Sequence, residues 1–220
     1  MRVCCTIATV TKGAAGKPRR YRSALRARQV EQTRQEVLDA AVDLFARNGW
    51  ARTTVGAIAT EAGVAVETVY SGFGSKKALL RAAMDVAIVG DAEPVPLVER
   101  EPYRKLSAEP PDRRLQGAIA IAGQIYSGPV SRLWRALNEA AAGDPEVADW
   151  CTELEAGRRT TMSEMLELVY GRQADDRIVD IVWGLVSIET YTKFCVERGW
   201  TTEQWRDWAA EAVRLFAGRP

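Results

Sequence analysis

Residues 54–73, Thr-Val-Gly-Ala-Ile-Ala-Thr-Glu-Ala-Gly-Val-Ala-Val-Glu-Thr-Val-Tyr-Ser-Gly-Phe, hold the side chains whose types and spacing suggest a chemistry. Ala65, Glu67, Thr68, Ser71 and Gly72 fall on the outward face of a short helix, and all are small or short. A face of that kind can sit deep in the major groove of a duplex and bring hydrogen-bonding groups to base edges. Reaction chemistry is poorly supplied. The chain has no histidine, which removes the commonest general base and the commonest transition-metal ligand. It also lacks a Gly-x-Ser-x-Gly elbow, a Gly-rich phosphate loop and paired carboxylates on a clear helix face. The cysteines are Cys4, Cys5, Cys151 and Cys195; they form no CxxC, and an adjacent pair is a poor zinc site. No metal, cofactor or enzymatic activity is expected. Cys151 and Cys195 read as buried free thiols, although the sequence leaves a pairing between them open.

The flanking residues must position that face. Val55, Ile58, Ala59 and Ala62 stand at i, i+3, i+4 and i+7, and Gly63 follows where a helix ends most easily. Val66, Val69, Tyr70 and Phe73 repeat the spacing, so two short helices joined by a glycine turn give a helix-turn-helix layout. A supporting helix is expected from about Ser23 or Thr33 to Arg47, with Val37, Leu38, Ala41, Val42, Leu44 and Phe45 as its apolar stripe. Asn48-Gly49 stops it, Trp50 plugs the gap beyond, and Thr53 or Thr54 caps the next helix. A capping threonine also sits where a duplex phosphate would approach a helix N-terminus. Ser75 caps a further helix from Lys76 to about Gly90. Lys76 and Lys77 lie in its first turn, the unfavourable end for cations, and a phosphate would account for them.

Charge supports a polyanion partner for this half of the chain. Residues 1–84 hold 14 Lys and Arg against 6 Asp and Glu, a balance of +8, whereas residues 85–220 hold 16 against 23, a balance of −7. Residues 1–16 read as a disordered leader. Lys17, Arg19, Arg20, Arg22, Arg26 and Arg28 follow with no acid among them, a basic arm suited to phosphates or a minor groove.

The remainder reads as helical, with no strand and no internal repeat. Residues 91–111 carry Pro94, Pro96, Pro102, Pro110 and Pro111 and are expected to be a linker through which no helix runs. Helices are predicted from Asp112 to about Tyr126, around Leu133, Trp134 and Leu137, from Asp144-Pro145 to about Tyr170, from about Ala174 to Glu197, and after the Thr201–Gln204 capping box. Tyr126, Trp134, Trp150, Met162, Met165, Trp183 and Tyr191 are the candidates to line a cavity for an apolar ligand with one or two polar groups. The apolar stripes of the last two helices are wider than one packing partner needs, and Trp205, Trp208, Leu215 and Phe216 leave much aromatic surface to cover. No apolar run is long enough to span a bilayer, and Met1–Val10 lacks a secretory pattern, so a cytoplasmic protein is expected.

The pattern resembles the TetR family of bacterial transcriptional regulators. The carrying residues are Leu44-Phe45, Gly49, Thr53-Thr54-Val55, Ile58-Ala59, Ala62-Gly63-Val64, Thr68-Val69-Tyr70, Phe73-Gly74-Ser75-Lys76 and Leu79-Leu80, within residues 34–80. The resemblance implies an all-α chain with a DNA-binding head (residues 17–90) and a helical body for effector binding and dimerisation (residues 91–220). It implies a homodimer on an inverted-repeat operator, released by a small molecule and acting as a repressor. Carried over by position, Thr54, Thr68, Tyr70 and Lys76 would anchor phosphates, and Ala65, Val66, Glu67 and Ser71 would face bases. The dimer interface would lie on the last two helices. Ala65 departs from the family's usual capping residue, a loss of about 1 kcal/mol of helix stability. Ser71-Gly72 replaces bulky backbone-touching residues, and Gly72 costs about 1 kcal/mol in propensity. The alternative is a helical ligand-binding or dimerisation protein that acts through a partner protein and has only non-specific DNA affinity.

Overall fold

A computed structural model of the protein describes residues 19–89, 95 and 99–218, with side chains from residue 26 onward. The proposed leader, Lys17, Cys4, Cys5, Pro94 and Pro96 lie outside the described residues, as do the side chains of Arg19, Arg20 and Arg22. Among the described residues the chain is all helical.

Helix α1, Arg19–Arg52, starts well before the apolar stripe that predicts it. Its first described side chains, residues 26–32, are all exposed; from Val37 the stripe of Leu38, Ala41, Leu44 and Phe45 is buried. The basic segment therefore enters α1 as a helical rod from Arg19 rather than as an extended arm. Gly49 breaks the helix with φ 74 and ψ −176, a region that only glycine occupies readily. Helices α2 (Val55–Glu61) and α3 (Val66–Phe73) follow, and α4 (Lys76–Val89) buries Leu79, Leu80, Ala83 and Met84 against α1.

The expected linker contains a helix. α5, Glu101–Ser107, runs through it, because Pro102 lies in the first turn where its missing N–H has no partner to lose. Arg114 holds α5 in place by donating to the carbonyls of Ser107 (3.0 Å), Glu109 (2.7 Å) and Leu168 (3.0 Å). α5 also lies tight on α6 (Pro111–Ile125): a Cβ at Gly117 would stand 2.2 Å from Leu106.

Ser127-Gly128-Pro129 breaks the chain between α6 and the next helix: Gly128 is non-helical, with φ −75 and ψ −162. The break is a wide turn, Tyr126–Val130, kinked at Gly128, after which α7 runs from Ser131 to Ala141. α7 packs along α1, and α8, Pro145–Tyr170, starts on the predicted Asp144 cap and ends at Gly171. The long helix expected from Ala174 to Glu197 is two. α9 (Asp176–Leu185) stops at Val186, and α10 (Ile188–Tyr191) continues into a wide turn, Thr192–Glu197. Local capping overrides the apolar periodicity there: Ser187 accepts from the Thr190 N–H, and the Thr190 hydroxyl donates to the Leu185 carbonyl at 2.7 Å. α11, Thr202–Ala217, opens with the predicted capping box.

Gly49→Ala is expected to destabilise the protein by about 1–3 kcal/mol through backbone strain alone. The new Cβ would also lie 2.6 Å from a Glu139 carboxylate oxygen. Denaturant unfolding midpoints of the two proteins measure this, and an unchanged midpoint would mean that α1 need not break at residue 49.

Candidate nucleic-acid interface and internal cavity

Thr53 and Thr54 divide two roles. The Thr53 hydroxyl is buried and donates to the carbonyls of Gly49 (2.8 Å) and Leu44 (3.1 Å), closing the break in α1. Thr54 is exposed and caps α2, its hydroxyl accepting from the Ala57 N–H at 3.1 Å. Ala65 stands at the N-cap of α3 and supplies no side-chain bond. Only Val69 of α3 is buried, so Val66, Glu67, Thr68, Tyr70, Ser71 and Gly72, with Ala65 before them, are exposed together. Val66 and Tyr70 belong to the apolar periodicity of α3, yet they are 37% and 51% exposed. Phe73 is half-buried under the guanidinium of Arg34, 4.5 Å from its ring centre. Arg26 and Arg28 are exposed on the helical rod that precedes this surface.

Lys76 is differently placed. Its ammonium donates to the Trp50 carbonyl at 2.7 Å and lies 4.0 Å from the indole ring centre. Burial there lowers its pKa. The Trp50 N–H donates to Glu139 of α7 at 2.9 Å, and the indole stacks on Phe45. Lys77 pairs with Glu146 and, at 3.1 Å, with Asp144, the cap of α8. The two cations at the start of α4 thus have partners inside the chain, and a phosphate is not needed to explain their position.

Between α4, α5, α6 and α8 lies a cavity of about 490 Å³. Of the seven side chains expected to line one, Tyr126, Trp134, Trp150, Met162 and Met165 do so. Trp183 and Tyr191 do not. Trp183 lies behind Arg158, whose guanidinium carbon is 5.4 Å from the indole centre. Tyr191 packs against Tyr126 and Trp205 away from the cavity, its hydroxyl bonded to Thr202 at 2.8 Å.

The polar lining was missed in the sequence. Arg81 and Asp85 of α4, Tyr103 of α5, and Glu153 and Arg158 of α8 all reach the cavity. Tyr103 had no signal, because its segment reads as linker, and the arginines and acids look like ordinary solvated helix residues. Arg158 bonds Glu155 through Nε (3.3 Å) and Nη2 (2.9 Å), and Nη2 stands 3.9 Å from Glu189. Burial opposes its charge, but Tyr126 and these acids outweigh that, and its pKa is raised. Burial raises the pKa values of Tyr103, Tyr126 and Asp85. Tyr126 donates to the Val186 carbonyl at 3.2 Å, and the Trp134 indole N–H to Glu189 at 2.8 Å. No group of acids and thiols among the described residues could hold a metal ion, and Cys151 and Cys195 are half-buried free thiols.

On α11 the four candidate interface residues divide. Trp205 is wholly buried within the protomer, edge-on to Tyr126 and Tyr191, so it has no surface to offer a second copy. Trp208 is half-buried on Phe194. Leu215 and Phe216 are exposed, at 78% and 45%.

Residues 37–83 match the family model for bacterial regulatory proteins of the tetR family. Among solved structures, a protein assigned to the TetR-family transcriptional regulators, from Rhodococcus sp., aligns at 17% identity and TM-score 0.66, over 84% of this chain and 98% of that one. The transcriptional regulator FadR from Bacillus subtilis, in complex with stearoyl-CoA, aligns at 20% identity and TM-score 0.64, over 84% and 98%. The fatty acid degradation regulator FadR from Bacillus halodurans aligns at 18% identity and TM-score 0.62, over 81% and 96%. No curated protein matches the chain. The TetR resemblance read on residues 34–80 therefore holds, and over about 84% of the chain the fold is that of these regulators.

The pairing of Lys77 with Asp144 has a definite pH signature. The hydrogen bond from Lys77 is the largest cause holding the Asp144 pKa below its ordinary 3.8. That stabilisation is present above the ordinary value and is lost as pH falls through the folded one. The bonds from Glu146 and Asp144 raise the Lys77 pKa above its ordinary 10.5, so its contribution is complete below 10.5 and is lost as pH rises through the folded value. The stability advantage over Lys77→Met should be greatest near neutrality and shrink at both extremes. Unfolding midpoints at about pH 3, 7 and 11 measure it, and an equal difference at all three would rule the coupling out.

Proposed function

We propose that this chain is a DNA-binding transcriptional regulator whose helix-turn-helix, α2 and α3, reads an operator and whose cavity takes a small effector. The exposure of α3 carries the reading. A helix that buries one side chain and leaves Val66 and Tyr70 uncovered has a surface in need of a partner, and its short polar neighbours suit a major groove. In this reading Ala65, Val66, Glu67 and Ser71 face base edges, while Thr54, Thr68 and Tyr70 meet phosphates together with the arginines of the α1 rod, Arg20 and Arg22 among them. Lys76 contributes by fixing Trp50 rather than by touching the duplex. Residues 17–90 form the DNA-binding head and residues 91–220 the effector-binding and dimerisation body. Two copies joined through α11, where Leu215 and Phe216 are exposed, would present paired recognition helices to an inverted repeat. The effector releases the DNA, which makes the protein a repressor. The ligand-bound state of the similar Bacillus subtilis protein supports a cavity that binds small molecules.

The internal pairing of Lys76 and Lys77 favours a second reading, in which the head is a weak non-specific tether and the body acts through a partner protein. Selection of the purified protein against a random duplex library at moderate salt separates the two. Enrichment of an inverted repeat with half-sites about one helical turn apart is expected. Enrichment of nothing above a salt-sensitive background would favour the tether. Tyr70→Ala is expected to weaken binding to the enriched site and to a scrambled duplex by a similar factor, about 3–10-fold, since a phosphate contact carries no sequence information. Unchanged affinity in a filter-binding titration would remove Tyr70 from the interface.

A further inference from the structure

The polar groups of the cavity limit what its ligand can be. Arg158 lines the cavity, and its Nη1 is buried with no acceptor in the protein. Tyr103 lines it as well, only 6% exposed, and its hydroxyl is bonded to no described residue. Tyr126 lies between them: its hydroxyl donates to the Val186 carbonyl at 3.2 Å, and its oxygen interacts with the Arg158 guanidinium, which leaves no donor of Tyr126 for a ligand. One end of the chamber thus offers two hydrogen-bond donors, Arg158 Nη1 and the Tyr103 hydroxyl. A buried donor left unmet is unfavourable, and Arg158 Nη1 is one, so this end calls for an acceptor.

The acceptor need not be an anion. The guanidinium of Arg158 is already neutralised by Glu155, and Glu189 stands 3.9 Å away. These three groups sum to −1, and a carboxylate brought beside them would be desolvated next to a net negative cluster. A cation would find the two donors facing it. Glu155 Oε1 is also buried and unbonded, but Glu155 does not line the cavity. The remaining charged lining, Arg81, Asp85 and Glu153, holds both signs, with Arg81 one helical turn from Asp85.

We infer that the ligand is an uncharged, largely apolar molecule carrying a carbonyl or similar acceptor, which Tyr103 and Arg158 bind as donors. This rests on the reading of the cavity as an effector site. A volume of about 490 Å³ holds on the order of 15 non-hydrogen atoms, at ~30 Å³ for a group the size of water. Apolar walls supply the affinity and the two donors supply the orientation.

The test uses four probes of one chain length: 2-undecanone, undecane, undecanoate and protonated undecylamine. Each is titrated into the full-length protein at neutral pH, with the fluorescence of Trp134 and Trp150 in the cavity wall as the signal. The ketone is expected to bind tightest, at least about tenfold better than either charged probe. Tyr103→Phe should weaken the ketone about 3–10-fold, the range for one lost hydrogen bond, and leave undecane unchanged. Tighter binding of the carboxylate or the amine would overturn this inference while leaving an effector cavity standing. So would an equal effect of Tyr103→Phe on ketone and alkane. If none of the four binds, the inference falls together with the cavity's role as a ligand site.

Discussion

The whole arrangement depends on how Trp50 is held. Its backbone N–H is taken by Glu139 of α7, its carbonyl by the ammonium of Lys76, and its ring by Phe45 on one side and Lys76 on the other. Three elements thereby meet at the residue after the break in α1. Gly49 makes the break, the Thr53 hydroxyl closes it onto Leu44 and Gly49, and α2 starts at once. The direction in which α2 and α3 leave α1 is set there, by partners that belong to α4 and to the body.

That constraint explains why Lys76 and Lys77 stand at the unfavourable end of a helix. A cation in the first turn of α4 is disfavoured by the dipole. Lys76 has instead a carbonyl and an aromatic face in a half-buried site, and Lys77 has two carboxylates at the start of α8. Fixing α4 against α1 and α8 outweighs the local preference. Sequence alone could not reveal this, because Glu139 and Asp144 lie more than sixty residues away.

Local signals were legible wherever a side chain acts on its own neighbours. The Thr53 or Thr54 cap, which proves to be Thr54, the Asp144-Pro145 start, the helix end near Tyr170 and the Thr201–Gln204 capping box are all visible in short stretches of sequence. Errors arose where one local rule was weighed against another. Proline density predicts a linker, although Pro102 at a helix start favours α5. Apolar periodicity runs unbroken through residue 186, although Ser187 and Thr190 cap a new helix there. The aromatic lining was mostly found because large apolar residues have few alternatives to the interior. Trp205 and Tyr191 went to the interior too, but into the aromatic cluster behind Tyr126. Composition indicates burial; only packing distinguishes a cavity wall from a core or an interface.

The same geometry bears on how an effector could act, given the proposed function. α4 begins at the clamp on Trp50 and carries Arg81, Asp85 and Ile88 to the cavity wall. Lys76 and Ile88 are about 18 Å apart along the helix at 1.5 Å per residue. A helix with buried Leu79, Leu80, Ala83 and Met84 between these ends moves as a rod more readily than it bends. In that reading, a ligand beside Ile88 and Asp85 touches the same rod whose other end holds Trp50 through Lys76. Coupling requires only that the bound and free cavities favour different positions of that rod. In the proposed function the clamp on Trp50 is the contact through which such a shift reaches the start of α2.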